Sequence, residues 1–337
     1  MNNNKETTDY ASEEVMLRDY YLRHDGQKPD VEAELEAFKS KHFHSKTTTV
    51  NRRIYWLVAS VAASIIMFMY IIYKDGDVAA TSPDENMFMA YEYSDDVVSG
   101  ITVSNGSKTM VVSDRKFDYA QKREGVSEGM ETISTPYGTT VEVTLSDGTE
   151  VTLNAGSKIT FPTNFTGSQR NVEVEGEAFF KVARDSVHPF IVKANSMNVR
   201  VVGTEFNVRA FKSVDVSVAL VSGKVDVSTA STVKHLQPGE GARLDDNGTL
   251  VVENIDVEET KSWIDGEFYF DNKDMLTIAR VIGRWYGVNV VFTNMEHMHD
   301  KMFFSASRYD SLSDIVDVIN SFDHVQMKLE KDKLVIN

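Results

Sequence analysis

The feature that most constrains this chain is an apolar run, Ile54–Tyr73, which contains twenty residues and no charge. At a rise of ~1.5 Å per residue, an α-helix of this length spans roughly the 30 Å hydrocarbon core of a bilayer. A buried soluble helix of similar length normally carries a polar stripe, and this run has none. The run therefore predicts one membrane-spanning helix. Aromatic residues that favour the membrane interface lie near its ends, namely Tyr55, Trp56, Tyr70 and Tyr73.

The charges that flank the run predict its orientation. Basic residues are frequent just before it, whereas residues 74–93 contain only Lys74. Because positive residues remain on the cytoplasmic side, we expect the N-terminus in the cytoplasm and residues 74–337 outside. A cleavable signal peptide is the alternative, but the run starts too late and is too long for one. The basic residues that lie just before the apolar run are Lys39, Lys41, Lys46, Arg52 and Arg53.

Charge and cysteine content narrow the possible functions of the outer part. Residues 74–337 carry 26 Lys and Arg against 41 Asp and Glu, which argues against binding of nucleic acid or anionic lipid there. The chain has no cysteine, which excludes disulfides and thiolate metal ligands. The outer part must be stabilised by its hydrophobic cores, and about 260 residues are enough for two domains.

Residues 1–53 show two short amphipathic helical patterns, one over about 12–23 and a second that opens at Pro29. Two helices of this size cannot close a core alone, so we expect a partner to cover their apolar stripes. A helical stalk that only tethers the chain is the alternative. The apolar residues of the stripes include Leu17, Tyr20, Tyr21, Val31, Leu35 and Phe38.

Residues 74–96 have the composition of a polar linker, and from 97 to 260 the hydrophobic period changes to two. VEVTLSDGTEVTL alternates around an Asp-Gly turn, which is a strong hairpin signal. Further short alternating runs follow, separated by turn residues. The range 97–260 therefore predicts an all-β domain, which is a sandwich, a roll or a short solenoid.

Residues 261–337 change character again and predict a small α+β module of order βαββαββ. Its first helix is expected to be capped by Asn272 or Asp274 and to stop at Gly287. Its second helix is expected to be capped by Ser311 or Ser313. The complete prediction is thus a multidomain membrane protein, with a helical head, one span, an all-β domain and a C-terminal α+β module.

The sequence contains no recognisable catalytic constellation. GxSxG, HExxH and phosphate-binding GxxxxGK[ST] motifs are all absent. His297, His299 and Asp300 form the one histidine cluster, and with nearby methionines they could hold copper. The cluster lies in a short loop without enforced geometry, so a solvated loop is the preferred interpretation. We expect no metal, no cofactor and no enzymatic turnover of a substrate.

Several motifs in order resemble the FecR family of anti-sigma factors. They are TPYGTTVEVTLSDGTEVTLNAGSKITFP, NVEVEGEAFFKVARDSVHPFIVKA, VRVVGTEFNVRAF, VALVSGKVDVS and LQPGEGARL. The final WIDGEFYFDNKDMLTIARVIGRWYGVNVVF and SLSDIVDVINSF resemble the C-terminal module usual in Bacteroidetes members. That module is similar to the signalling domain of TonB-dependent outer-membrane transducers.

The resemblance implies a single-pass inner-membrane regulator with a periplasmic tail. Its cytoplasmic head would bind an extracytoplasmic-function sigma factor, and its tail would receive a signal from a TonB-dependent transducer that has bound an iron chelate or a glycan. The sigma-binding residues would be those of the two stripes in residues 1–53. No nucleic acid and no small-molecule substrate would be bound directly.

Two further sites follow from the resemblance. Some family members break their chain within a GTxFxV motif, which Gly203 and Thr204 begin here; the alternative is an ordinary turn and strand start. For transducer docking, the exposed strand edges of the C-terminal module are favoured. The candidate docking residues are Phe268, Phe270, Phe303 and Phe304, of which Phe303 and Phe304 are adjacent, so one must face away from the core. The outward one could instead cover the neighbouring β domain.

A second hypothesis, from another functional class, is a membrane-anchored β-rich adhesin or glycan-binding module. It would use exposed aromatic residues such as Tyr91, Tyr93 and Tyr119, and the head would serve only as an anchor. The head separates the two hypotheses, because a stalk tolerates charges on its apolar stripes and a sigma-binding surface does not.

Overall fold

The computed structural model describes residues 87–94, 97–120, 129–211, 214–245, 247–322, 325–331 and 333–337. The predicted head, 1–53, and the predicted span, 54–73, lie outside these ranges. Within the described ranges, no helix combines the length and the apolar character needed to cross a bilayer. The structure therefore tests neither the predicted head nor the predicted span.

The described residues between 97 and 254 form strands and turns. The first eight strands are β2 (Ile101–Ser104), β3 (Thr109–Val112), β4 (Lys116–Asp118), β5 (Met130–Ser134), β6 (Val141–Thr144), β7 (Glu150–Leu153), β8 (Lys158–Pro162) and β9 (Arg170–Lys181). The next eight are β10 (Phe190–Ala194), β11 (Met197–Val201), β12 (Glu205–Phe211), β13 (Val214–Ser222), β14 (Val225–Ser228), β15 (Val233–Leu236), β16 (Glu240–Leu244) and β17 (Leu250–Asn254). The predicted all-β character of this region is confirmed.

These strands form two sheets that share β9. The first half of β9 pairs with β10 and β8, in a sheet that continues through β11, β14 and β15 on one side and β5, β2 and β3 on the other. The second half pairs with β12 and β7, in a sheet that continues through β13, β16 and β17 and through β6 and β4. Of the three predicted architectures, the structure is a sandwich.

One hydrophobic core lies between the two sheets. Phe190, from the first sheet, packs against Phe180, from the second, with ring centroids 6.0 Å apart. Phe180 in turn stacks on Phe206 at 5.1 Å. All three side chains are fully buried. The alternation of apolar and polar residues along most of the strands supplies this core from both sides.

Gly176 marks the point where β9 passes from one sheet to the other. Its φ of +97° is in the left-handed half of conformational space, which glycine adopts readily. A Cβ at this position would lie 2.5 Å from Oγ of Ser157, so a side chain has no room. The same Ser157 hydroxyl accepts a hydrogen bond from the N–H of Glu177 at 2.9 Å. Glycine therefore lets the strand bend while the β7–β8 loop stays in contact with it.

The remaining elements build the C-terminal module. They are α1 (Val257–Ser262), β18 (Glu267–Asp274), α2 (Met275–Tyr286), β19 (Asn289–Phe292), a 3-10 helix (Met295–His299), β20 (Lys301–Ser307), α3 (Leu312–Asn320), β21 (Met327–Glu330) and β22 (Lys333–Ile336). From β18 onward, the order of strands and α-helices is βαββαββ, which confirms the prediction. Strands β18 and β20 form a separate pair. β19 runs parallel to β22, and β22 pairs on its other side with β21.

Both long helices of the module begin at predicted capping residues, and the first also ends at the predicted glycine. The side chain of Asp274 accepts a hydrogen bond from the N–H of Thr277 at the start of α2, and Gly287 ends that helix at φ +64°. Ser311 and Asp314 form a capping box at the start of α3. The buried faces of these helices include Ile278, Ile282, Ile315 and Ile319, which lie in the core of the module.

A further strand, β1 (Phe88–Tyr91), completes the sheet of the C-terminal module in the order β1-β19-β22-β21. β1 lies inside residues 74–96, which the sequence predicts as a polar linker. The difference has a physical reason, because a four-residue strand is too short to show periodicity and its partner lies far along the chain. The module is thus assembled from segments on both sides of the β domain.

We predict that Gly176→Ala lowers the free energy of unfolding by roughly 2–5 kcal/mol, because the substitution combines an unfavourable φ with a steric clash. Thermal unfolding of the full-length protein in detergent, followed by intrinsic fluorescence, measures the loss. Gly239→Ala is the matched control, since Gly239 has a φ of +85° but no atom lies within 4 Å of the point that a Cβ would occupy. It should cost about 1–2 kcal/mol. Equal losses from the two substitutions would contradict the steric argument.

Candidate functional site

The candidate site is the contact between the β domain and the C-terminal module, which belong to one compact unit. At its centre is the carboxylate of Glu177, on β9 immediately after the sheet switch and only 6% exposed. Nδ2 of Asn154 donates to its Oε2 at 2.8 Å, and Nδ2 of Asn207 donates to its Oε1 at 2.9 Å. Nε of Arg209 lies 3.4 Å from Oε1. A buried carboxylate is therefore surrounded by donors and positive charge.

Arg308 brings the C-terminal module into this network. Its Nη1 donates to Oδ1 of Asn154 at 3.0 Å, and its guanidinium carbon lies 4.9 Å and 4.7 Å from the ring centroids of Phe268 and Trp285. The backbone holds it from both sides, because its Nε donates to the carbonyl of Glu267 and its own carbonyl accepts from Nε1 of Trp285. The side chain is 6% exposed. Arg308 thus connects the two modules through a buried hydrogen bond.

The environment shifts the pKa values of both charged partners. Burial alone would raise the pKa of Glu177, but the charge of Arg209 and the hydrogen bonds from Asn207 and Asn154 together lower it below its ordinary value. Burial lowers the pKa of Arg308 to about 10, and the negative charge of Glu177 opposes this shift. Both groups are therefore charged at neutral pH, and each supports the other.

The loop Asn154–Ser157 is the structural element that joins the modules. The N–H of Asn154 donates to the carbonyl of Glu177 at 2.9 Å, which holds the loop on β9. Ala155, from the same loop, is 2% exposed and is part of the hydrophobic core of the C-terminal module. A single tight loop of the β domain is therefore inserted into its neighbour.

Aromatic residues form a second contact between the modules. Arg284 of α2 lies 3.6 Å from the ring centroid of Phe211 on β12, a short cation–π distance. The hydroxyl of Tyr91 on β1 donates to the hydroxyl of Tyr137 at 3.2 Å, and Tyr137 also packs against Tyr93. Strand β1 therefore contacts the β domain while it pairs with the sheet of the C-terminal module.

A polar cleft of about 590 Å³ lies beside the buried network. Glu177, Asn207 and Arg209 line one side of it, and Phe268 and Arg308 line the other. Because charges of both signs meet there, the cleft continues the polar contact between the modules to the surface.

The structure revises the predicted docking surface. Phe268, Phe270 and Phe304 are 1%, 6% and 1% exposed and belong to the core of the C-terminal module, so a partner on the folded module cannot contact these three side chains. Phe303 is 54% exposed and packs edge-on against Tyr269, with centroids 5.7 Å apart. Facing solvent, it does not cover the β domain. Phe303 alone of the four remains available for docking.

The other predicted site residues are distributed as follows. The head residues Leu17, Tyr20, Tyr21, Val31, Leu35 and Phe38 lie outside the described residues. His297 lies on the 3-10 helix and pairs with Asp300, Nδ1 to Oδ2 at 2.7 Å, and no three metal-ligating side chains cluster anywhere in the described ranges. Tyr119 packs on the core of the β domain and Tyr91 on that of the C-terminal module, so these two tyrosines do not form one aromatic surface.

Gly203 and Thr204 immediately precede β12, and Thr204 is 4% exposed. The Thr204 hydroxyl donates to the carbonyl oxygen of Lys224 at 3.0 Å, and the Thr204 carbonyl accepts from the N–H of Val182 at 3.0 Å. A Cβ on Gly203 would lie 2.9 Å from Cβ of Arg184. These contacts give both residues a structural role, and cleavage between them stays a prediction.

The cleavage hypothesis expects the purified protein to run as two fragments on a denaturing gel, and Thr204→Ala to give one band. A single band from the unmodified protein would remove the hypothesis. In that case Thr204→Ala should still lower thermal stability, by about 1 kcal/mol, because the Lys224 carbonyl loses the hydrogen bond from the Thr204 hydroxyl.

We predict that Glu177→Gln lowers the free energy of unfolding at neutral pH by roughly 2–4 kcal/mol, because an amide donor then faces an asparagine donor and the nearby guanidinium groups lose their counter-charge. The folded pKa of Glu177 is below its unfolded value of 4.5, so its stabilisation is present above that value and is lost as the pH falls through the folded pKa. The melting temperature should therefore change less between pH 7 and pH 4 in the Glu177→Gln variant than in the unmodified protein.

Glu173→Gln is the control for this prediction. Glu173 also lies on β9 but is 51% exposed and pairs with Lys193 at the surface. Its substitution should change the stability by less than about 0.5 kcal/mol. A Glu177→Gln variant as stable as this control would show that the buried carboxylate is not needed for the contact.

Comparison with known proteins agrees with this arrangement of two modules. Residues 131–226 match the family described as FecR protein, and residues 267–336 match the family described as FecR, C-terminal. Two crystal structures of a candidate anti-sigma factor from Parabacteroides distasonis ATCC 8503 are similar, with a TM-score of 0.56 for each and identities of 32% and 31%. Each alignment covers 61% of this chain and 98% of that chain. No curated protein matches significantly. The chain belongs to the FecR family of anti-sigma factors.

Proposed function

We propose that the chain is a single-pass inner-membrane regulator of an extracytoplasmic-function sigma factor. The head, residues 1–53, binds the sigma factor in the cytoplasm, and residues 74–337 receive a signal in the periplasm from a TonB-dependent outer-membrane transducer. The distribution of basic residues around the apolar run supports this orientation. The observation that carries the proposal is the match to a candidate anti-sigma factor, whose crystallised chain is aligned over almost its full length.

The structure gives the two outer modules a role in this proposal. Arg308 and Asn154 join them through a buried hydrogen bond. In this proposal, that contact transmits a displacement of the C-terminal module to the β domain. A transducer therefore needs to contact only one module. Phe303, which is 54% exposed and packs against Tyr269 on the β18–β20 pair, is the predicted docking residue that remains available to such a partner.

The membrane itself favours a signal that acts through the outer chain. A lone transmembrane helix transmits a twist poorly, since its lipid-facing sides have no alternative packing to select. Proteolysis of the chain outside the membrane, followed by proteolysis within it, would release the head without such coupling. We therefore propose release of the head, and not a twist of the helix, as the output.

The glycan-binding alternative receives less support. It requires several exposed aromatic residues on one surface, and Tyr91 and Tyr119 are partly buried against two different cores. Tyr93 is 39% exposed, but its ring packs against Tyr137 at the contact between the modules.

We predict that full-length protein in detergent co-purifies with its sigma factor, and that Leu35→Asp or Phe38→Asp reduces the recovered sigma factor at least tenfold. A charge on the apolar stripe of an amphipathic helix removes the surface that the partner covers. Ala33→Asp is the matched control, because residue 33 lies on the opposite side of the predicted helix from residue 35. It should retain binding. Equal recovery from all variants would indicate a stalk.

A further inference from the structure

Strand β1 is attached to the C-terminal module by few backbone contacts. It has four residues and pairs antiparallel with β19 at Phe88↔Phe292, Met89↔Val291 and Tyr91↔Val290, with a register shift between Met89 and Tyr91. It lies at the edge of its sheet, and on its other side β19 is held by β22. The sheet of β19, β22 and β21 therefore persists if β1 leaves.

The side chains of β1 fill a groove with a defined pattern. Ala90 is 6% exposed and is part of the module core, and Phe88 and Tyr91 pack against the same core. The Ala90 carbonyl accepts a hydrogen bond from Nε of Arg280 at 3.1 Å. The groove accepts a small residue with an aromatic residue on each side, in the spacing aromatic-x-small-aromatic.

Tyr91 shows how closely this groove is fitted. Its ring passes directly over Gly283 of α2, because a Cβ on that glycine would lie 2.7 Å from Cδ1 of Tyr91. The guanidinium of Arg284 lies 5.6 Å from the ring centroid. Burial and the hydrogen bond with Tyr137 raise the pKa of Tyr91 well above its ordinary value, so its hydroxyl stays protonated. The groove thus selects an aromatic residue at this position.

We propose that β1 is an exchangeable edge strand, and that an extended segment of a partner protein with the pattern aromatic-x-small-aromatic replaces it beside β19. Such a segment can form the same backbone hydrogen bonds with β19 and fill the same groove, which is recognition by strand addition. The proposal rests on the proposed function only for the source of this segment, which is the signalling domain of the transducer.

Replacement of β1 has a direct consequence for the chain that leads to the membrane. The hydrogen bond between the hydroxyls of Tyr91 and Tyr137 would break. So would the hydrogen bond that the N–H of Tyr93 donates to Oδ1 of Asn289 at 2.7 Å. Residues 87–94 would then be extended and accessible to a protease. A partner that docks on the C-terminal module would thereby expose the segment that follows the predicted span in sequence.

The test uses the full-length protein in detergent and a fluorescein-labelled synthetic peptide with the sequence of residues 86–93, NMFMAYEY. In the unmodified chain, the tethered β1 competes with the peptide. Ala90→Asp places a charge at a buried position and weakens the tethered strand, so fluorescence anisotropy should show peptide binding at least tenfold tighter than in the unmodified protein. A peptide that carries the same Asp should not bind.

Met89→Asp is the matched control, because Met89 lies on the same strand but is 49% exposed. It should leave peptide binding as in the unmodified protein. A covalent lock supplies the second control. The chain has no cysteine, and Met89 and Val291 are directly opposed, so Met89→Cys with Val291→Cys can form a disulfide between β1 and β19 without competing thiols.

Added to the Ala90→Asp variant, the oxidised lock should abolish peptide binding and reduction should restore it. Binding to Ala90→Asp that is no tighter than to Met89→Asp would overturn the proposal, as would binding that survives the lock. The assay contains no sigma factor and no transducer. A negative result in the peptide assay would therefore not contradict the proposed function. Likewise, a head that does not bind a sigma factor would not contradict strand exchange.

Discussion

The buried carboxylate of Glu177 is the constraint on which the arrangement of the β domain and the C-terminal module depends. A charge at this depth is tolerated only if donors and positive charge surround it. Asn207 and Arg209 supply part of this environment from β12, and Asn154 supplies the rest from the β7–β8 loop. Because Asn154 also accepts from Arg308, the group that satisfies the carboxylate fixes the position of the C-terminal module.

The C-terminal module and the β domain are not independent units joined by a linker. The module takes a strand from residues before the β domain and its other elements from residues after it. Tyr91 and Tyr137 join that strand to the β domain, and Arg284 packs on Phe211. Strand β1, from before the β domain, and strands β19, β22 and β21, from after it, therefore lie in one sheet.

Local patterns predicted the elements well, and tertiary contacts account for the differences. Period-two alternation predicted the all-β region, and the caps Asp274 and Ser311 were readable because capping is a local hydrogen bond. Strand β1 was not predicted, because four residues are too few to show a hydrophobic period. The adjacent pair Phe303 and Phe304 correctly indicated one outward ring. The burial of Glu177 and Arg308 was not predicted. One signal was present, because the apolar run Ala178–Phe180 breaks the alternation of β9, as expected for a strand covered on both faces.

The most direct test of this account is a double-mutant cycle between Asn154 and Arg308, with Asn154→Ala, Arg308→Met and the two combined. The free energies of unfolding come from denaturant titrations of the full-length protein in detergent. If the buried hydrogen bond joins the modules, the two substitutions should be coupled by about 1–2 kcal/mol, and the double variant should lose less stability than the sum of the single variants. Losses that add within about 0.3 kcal/mol would contradict the account.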